Sequence, residues 1–111
     1  MIIQDWSQGT ILVNLPGRLP EHKELQRLVR IVHGQDDCNV IVDFSGVDVV
    51  GCTTFTWLLE LRQLLQDHGR KLVLCSVAPA NRDVFSITRL DEVFDFVKDK
   101  FAALAHLQVL Q

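Results

Sequence analysis

The sequence predicts an α/β domain: one mixed β-sheet of four to five strands with about four helices packed on it. Three observations point there. Val40-Ile41-Val42-Asp43-Phe44 and the run from Lys71 to Val77 have the near-unbroken hydrophobicity of strands covered on both faces. Elsewhere apolar residues recur at i, i+3, i+4 and i+7, the period of amphipathic helices. The two patterns alternate in the order β-β-α-β-α-β-α-(β)-α, which calls for helices laid against a sheet. With 111 residues, 48% of them hydrophobic, the chain has room and core material for a single domain spanning residues 1–111.

Ile2-Ile3 and Thr10 to Leu15 open the chain as short strands around the turn-like Ser7-Gln8-Gly9. Ile11, Val13 and Leu15 alternate onto one face, as in a half-buried strand, and Pro16-Gly17 stops it. A helix follows from about Glu21, with Pro20 at or just before its first turn. Its stripe is Leu25, Leu28, Val29 and Val32, and Gly34 closes it. After the strand ending at Phe44, Ser45-Gly46-Val47-Asp48 makes a turn, Val49-Val50 is apolar and Gly51 breaks the chain. Thr53 to His68 reads as the second helix, with Leu58, Leu61 and Leu65 inward and Gly69 as its C-terminal stop. Beyond the Lys71–Val77 strand, Ala78-Pro79 begins a short helix through Asn81, Val84 and Phe85. Val93-Phe94-Asp95-Phe96 reads as an edge strand, and a final helix turns Val97, Phe101, Leu104 and Ala105 to the core. Trp6 and Trp57 are expected in packing positions.

Lysine and arginine total 11 against 14 acids, so the chain lacks the basic surplus of a nucleic-acid binder. Cys38, Cys52 and Cys75 are odd in number and lack CxxC spacing, which argues against a disulfide framework or a zinc site and fits a reducing cytosol. Met1 to Asp5 has no basic n-region of a signal peptide, and the uncharged run from Val49 to Leu59 is too short to span a bilayer. A cytoplasmic location without membrane insertion is expected. Neither GxGxxG nor GxxxxGK followed by Ser or Thr occurs. His22, His33, His68 and His106 are scattered, and Asp36-Asp37 reads as a solvated turn. Nothing assembles a nucleophile, a base and an orienting acid, so no catalytic residue, metal or cofactor is expected and the chain is not read as an enzyme.

One segment is more specific. Asp43-Phe44-Ser45-Gly46-Val47-Asp48 ends a buried strand, an apolar pair follows, and Gly51-Cys52-Thr53-Thr54 opens a helix. That helix ends in His68-Gly69-Arg70, and Lys71-Leu72-Val73-Leu74 follows. This order resembles the STAS domain of bacterial anti-sigma factor antagonists: strand, D-L/F-S-G-V, an apolar pair, D-S-S/T-G-L at a helix start, then G-x-x-L-x-L. Leu15-Pro16-Gly17-Arg18-Leu19 is similar to the family's L-x-G-x-L/V element, Val77 to Asn81 to its last loop and helix, and Arg89 to Phe94 to its G-L-D-x-V/L-F turn. Roughly the whole chain is covered. The sequence departs from the family at Gly51, usually Asp, at Cys52, usually Ser, at Thr54, usually Gly, and at Pro20, commonly an acid.

The resemblance implies a single STAS-like domain acting as a non-enzymatic interaction module in bacterial transcription regulation. Its partner would be an anti-sigma factor or a regulatory serine kinase, bound through the start of the second helix and the adjoining loops. In phosphorylatable members a kinase modifies the hydroxyl at that helix start. This makes Thr53 the first acceptor candidate and Thr54 the second, in a switch loop with Gly51 and Cys52. Arg18, Leu19, Phe55, Ala78, Pro79 and Asn81 are the expected partner-binding residues, Phe55 serving as a core anchor or an exposed contact. A helix start gives such a switch a physical basis, since its unpaired N–H groups and positive dipole end hold a cap or a phosphate. Simple capping is the plainer role of Thr53 or Cys52. Two alternatives remain: an accessory subunit of a transporter ATPase with the same fold, and a thiol-based sensor using Cys52, whose thiol the helix start would acidify. A homodimer also stays open.

Overall fold

In the computed structural model, which describes residues 2–7, 9–15, 30, 39–47 and 52–110, five strands lie side by side in the order in which they occur in the chain. β1 (Ile2–Ser7) and β2 (Thr10–Asn14) form an antiparallel hairpin, and Gly9 takes the left-handed φ of 77° that its reversal needs. β2, β3 (Asn39–Asp43), β4 (Leu72–Cys75) and β5 (Asp95–Val97) are parallel to one another, so the sheet is mixed, as expected. Three helices are described: α1 (Cys52–Asp67), α2 (Pro79–Ile87) and α3 (Lys100–Leu110). A 3-10 turn at Leu90–Glu92 precedes β5. Arg30 has helical backbone; the rest of the predicted first helix, Arg18, Leu19, Asp36, Asp37 and Gly51 lie outside the described residues.

Parallel strands need cover on both faces, and two apolar layers supply it here. On one side Ile11, Val13, Val40, Val42, Leu72 and Leu74 meet Trp57, Leu58, Leu61 and Leu65 of α1 and Phe85 of α2. On the other, Leu12, Ile41, Val73 and Cys75 meet Ala103 and Leu107 of α3. β2 is therefore buried on both faces instead of one, because Leu12 lies beneath α3.

The stripe of α3 also differs from the expected one. Phe101 is 67% exposed, and Ala103 and Leu107, one turn apart, face the sheet with Leu104 beside them. Asp99 sets this phase: its carboxylate accepts from the Ala102 N–H at 2.8 Å, the bond of an N-cap. The predicted edge strand starts two residues late for a related reason. The Val93 and Phe94 amides both donate to the Leu90 carbonyl, at 3.1 and 3.2 Å, and are drawn into the 3-10 turn.

α1 ends as its sequence predicts. Arg70 N–H donates to the Leu65 carbonyl at 2.7 Å and Gly69 N–H to the Gln66 carbonyl at 3.0 Å, with Gly69 at φ 70°. This is a Schellman closure with glycine in the left-handed position. At the end of α2 the same left-handed backbone is taken by Arg89, φ 62°, at the position of the glycine in the G-L-D-x-V/L-F element that this segment resembles. The two positions make a reciprocal test. Gly69→Ala would meet no atom within 4 Å, so its cost is conformational alone, about 1 kcal/mol. Arg89→Gly should stabilise by about 0.5–1 kcal/mol for the opposite reason. Urea unfolding of both variants checks the signs.

Candidate protein-docking site

The carboxyl ends of parallel strands are where an open α/β sheet leaves loops available for recognition, and the sequence shapes two such loops here. At the end of β3 the buried Asp43 accepts the Ser45 N–H at 2.8 Å, and the Val47 N–H donates to the Phe44 carbonyl at 2.9 Å. These bonds build an Asx turn inside a β-turn. Phe44 and Val47 point into the core while Ser45 and Gly46 stand in solvent. At the end of β4, Ser76 adopts a left-handed φ of 57°, which redirects the chain into Val77-Ala78-Pro79. Ala78 and Pro79 are exposed, and Pro79 opens α2 with a fixed φ and no N–H to leave unpaired.

Asn81 ties the loops together. It is 3% exposed, and its Nδ2 donates to the Val47 carbonyl at 3.4 Å, bracing the first turn of α2 against the β3 turn. Phe85, one turn later, is fully buried with its ring edge-to-face against Phe44, Phe55, Phe94 and Phe96 at 4.9–6.3 Å. Through Phe55 this cluster holds the first turn of α1.

The candidate residues thus divide. Ala78 and Pro79 are surface residues of one edge, and Cys52 and Thr53 are the first two residues of α1. Asn81, expected to meet a partner, is instead an internal brace, because its amide is spent on Val47. Phe55 is half-buried on Phe85 at 4.9 Å, so its ring serves the core first. Thr54 is 1% exposed, and its Oγ1 is buried without a hydrogen-bond partner among the described residues. A kinase cannot reach that hydroxyl while α1 is formed. Ser45 and Gly46 were missed as surface candidates. Their signal is the D-F-S-G-V string itself, in which Ser45 and Gly46, between the apolar Phe44 and Val47, mark an outward turn tip.

Cys75 lies under this edge at the last position of β4. Burial and, after it, the Asp43 carboxylate push its thiol from 9.0 up to about 12. The folded thiol therefore keeps its proton where an unfolded one has lost it. Its contribution to stability is full below pH 9 and falls between 9 and 12, by about 1.4 kcal/mol per pH unit. Cys75→Ala should flatten that part of the alkaline unfolding profile. In the native parent, alkylation at pH 8 read by peptide mass spectrometry should spare Cys75. Among the described residues no group of His, Cys, Asp and Glu is placed to hold a metal ion, and no helix is long and apolar enough to cross a membrane.

The family model of the STAS domain matches residues 7–103 of the chain. No curated protein sequence matches it. Among solved structures, an RsbS variant from Moorella thermoacetica superposes with a TM-score of 0.84 at 20% identity, covering 98% of this chain and 95% of that one. An anti-sigma-factor antagonist domain protein from Planctomyces limnophilus has a TM-score of 0.78 at 22% identity, covering 96% and 97%. The Bacillus cell fate determinant SpoIIAA in its phosphorylated form has a TM-score of 0.72 at 16% identity, covering 92% and 95%.

Proposed function

We propose, from the premise that this chain belongs to the STAS domain family, that it works as an anti-sigma factor antagonist. In this reading it is a non-enzymatic module that docks on an anti-sigma factor or a regulatory serine kinase. The observation that carries the reading is the brace from Asn81 to Val47. It joins the exposed Ser45-Gly46 tip and the exposed Ala78-Pro79 loop into one edge, beside which the start of α1 is held by Phe55 on Phe85. Thr53 is the phosphoacceptor on this reading, since the Thr54 hydroxyl is enclosed. That SpoIIAA was solved in a phosphorylated form supports a switch of this kind.

Ala78 offers the cleanest test. It is the N-cap residue of α2, with extended backbone and no side-chain cap bond. Ala78→Asp supplies a capping carboxylate beside the positive end of the helix and should raise stability by about 1 kcal/mol. The same charge stands on the docking edge and should weaken partner binding at least tenfold. Affinity capture identifies the partner, and titration against it beside thermal melts gives both numbers. A more stable Ala78→Asp protein that binds undiminished, or capture of neither partner class, overturns the assignment.

A further inference from the structure

Toward the other end of α1, about 14–20 Å from Thr53 at 1.5 Å per residue, lies an open groove of about 210 Å³. Arg62 and Gln66 from α1, Arg70 and Lys71 from the turn after it, and Asp95 at the start of β5 form its polar lining. Leu72 and Val93 complete it. Three cations and one carboxylate thus gather on a chain whose formal charge is -3. Asp95 Oδ2 lies 3.7 Å from His106 Nε2, beyond hydrogen-bond distance.

Arg62 is held in place by one of its donors. Its Nε–H donates to the Val93 carbonyl at 3.1 Å, fixing the guanidinium between α1 and the approach to β5. A guanidinium has five N–H donors. With Nε committed, the end-on pair of Nη groups keeps the fork that fits two oxygens of one oxyanion. Those Nη groups have no hydrogen-bond partner among the described residues. Lys71 stands beside it with an exposed side chain, while its backbone N–H is anchored to Asn39 Oδ1 at 2.9 Å.

Size and lining narrow the ligand. The groove is smaller than the roughly 300–1,000 Å³ of sites that enclose a cofactor-sized molecule. It has no aromatic ring on which a base could stack. A compact oxyanion fits, with the Arg62 fork on one side of it and Lys71 on the other wall. We infer that the groove binds a phosphoryl group, two of its oxygens on the Arg62 fork and a third on Lys71. The group is supplied either as free phosphate or on a phosphorylated side chain.

The test is a titration of the 15N-labelled full chain with inorganic phosphate, O-phosphoserine and acetate at constant ionic strength. Phosphate and phosphoserine should give saturable shifts at the Arg62 Nε–H and the backbone amides of residues 70–72. Arg62→Gln should abolish them, and Lys71→Gln, a change at an exposed side chain, should weaken binding several-fold. Tighter binding of phosphoserine than of phosphate identifies a phosphorylated side chain as the source, and equal binding identifies the free ion. Shifts that fail to saturate in the millimolar range, that survive in both variants, or that acetate reproduces at equal concentration overturn the inference.

Discussion

Phe85→Ala should cost this domain about 4–5 kcal/mol, the upper part of the range for emptying an aromatic site in a core. The side chain is fully buried, and four phenylalanine rings meet it edge-to-face. Each such pair adds about 0.5–1.5 kcal/mol beyond the area it buries. The partners come from four places: the end of β3, the first turn of α1, the 3-10 turn and β5. A cavity there cannot be filled by moving one element. A domain of this size has about 5–15 kcal/mol in all, so the variant should be partly unfolded at 37 °C. Phe85→Leu, which keeps most of the volume, should lose far less. Urea titrations compare the two, and a loss below about 2 kcal/mol for Phe85→Ala would show that the ring cluster collapses easily.

Thr53→Asp should separate binding from folding. An acid in the first turn of α1 meets the positive end of the helix dipole, so stability should change by no more than about 1 kcal/mol. The charge stands at the proposed switch, where it mimics part of the -1.5 to -2 that a phosphate brings, and partner affinity should fall at least tenfold. Thr53→Ala should lose up to about 1 kcal/mol of capping and still bind. Thermal melts beside a binding titration distinguish the two variants. If Thr53→Asp binds as tightly as the parent, Thr53 is a cap and the switch lies elsewhere.

The sheet was legible because its central strands carry one signal with no competitor. Val40 to Val42 and Leu72 to Cys75 are apolar on both faces, and both faces are covered. β2 was harder, since Asn14 and Thr10 break the run and leave Leu12 looking like an outward residue until α3 is laid over it. In α3, Phe101 outweighs Ala103 on any hydrophobicity scale. Yet the smaller residue lies on the sheet, where a helix packs closely, and the local Asp99 cap decides the phase. The docking edge was legible as a string and not as a surface. Ala78, Pro79 and Asn81 are neighbours in sequence, but Asn81 turns inward, where its amide meets Val47, 34 residues away. No periodicity encodes a side-chain amide reaching a backbone carbonyl on another loop.

The brace between Asn81 and Val47 also determines what association costs. Immobilising a loose backbone costs about 1–2 kcal/mol per residue, which for a turn the length of Phe44–Val47 would consume much of a modest affinity. Here the Val47 turn bond and the Asn81 brace order Phe44–Val47 in the free chain, so on the proposed reading less of the docking free energy goes into fixing that turn. On the proposed reading, a phosphate at Thr53 would act beside this ordered turn by repulsion and occlusion, without a change in the backbone of Phe44–Val47.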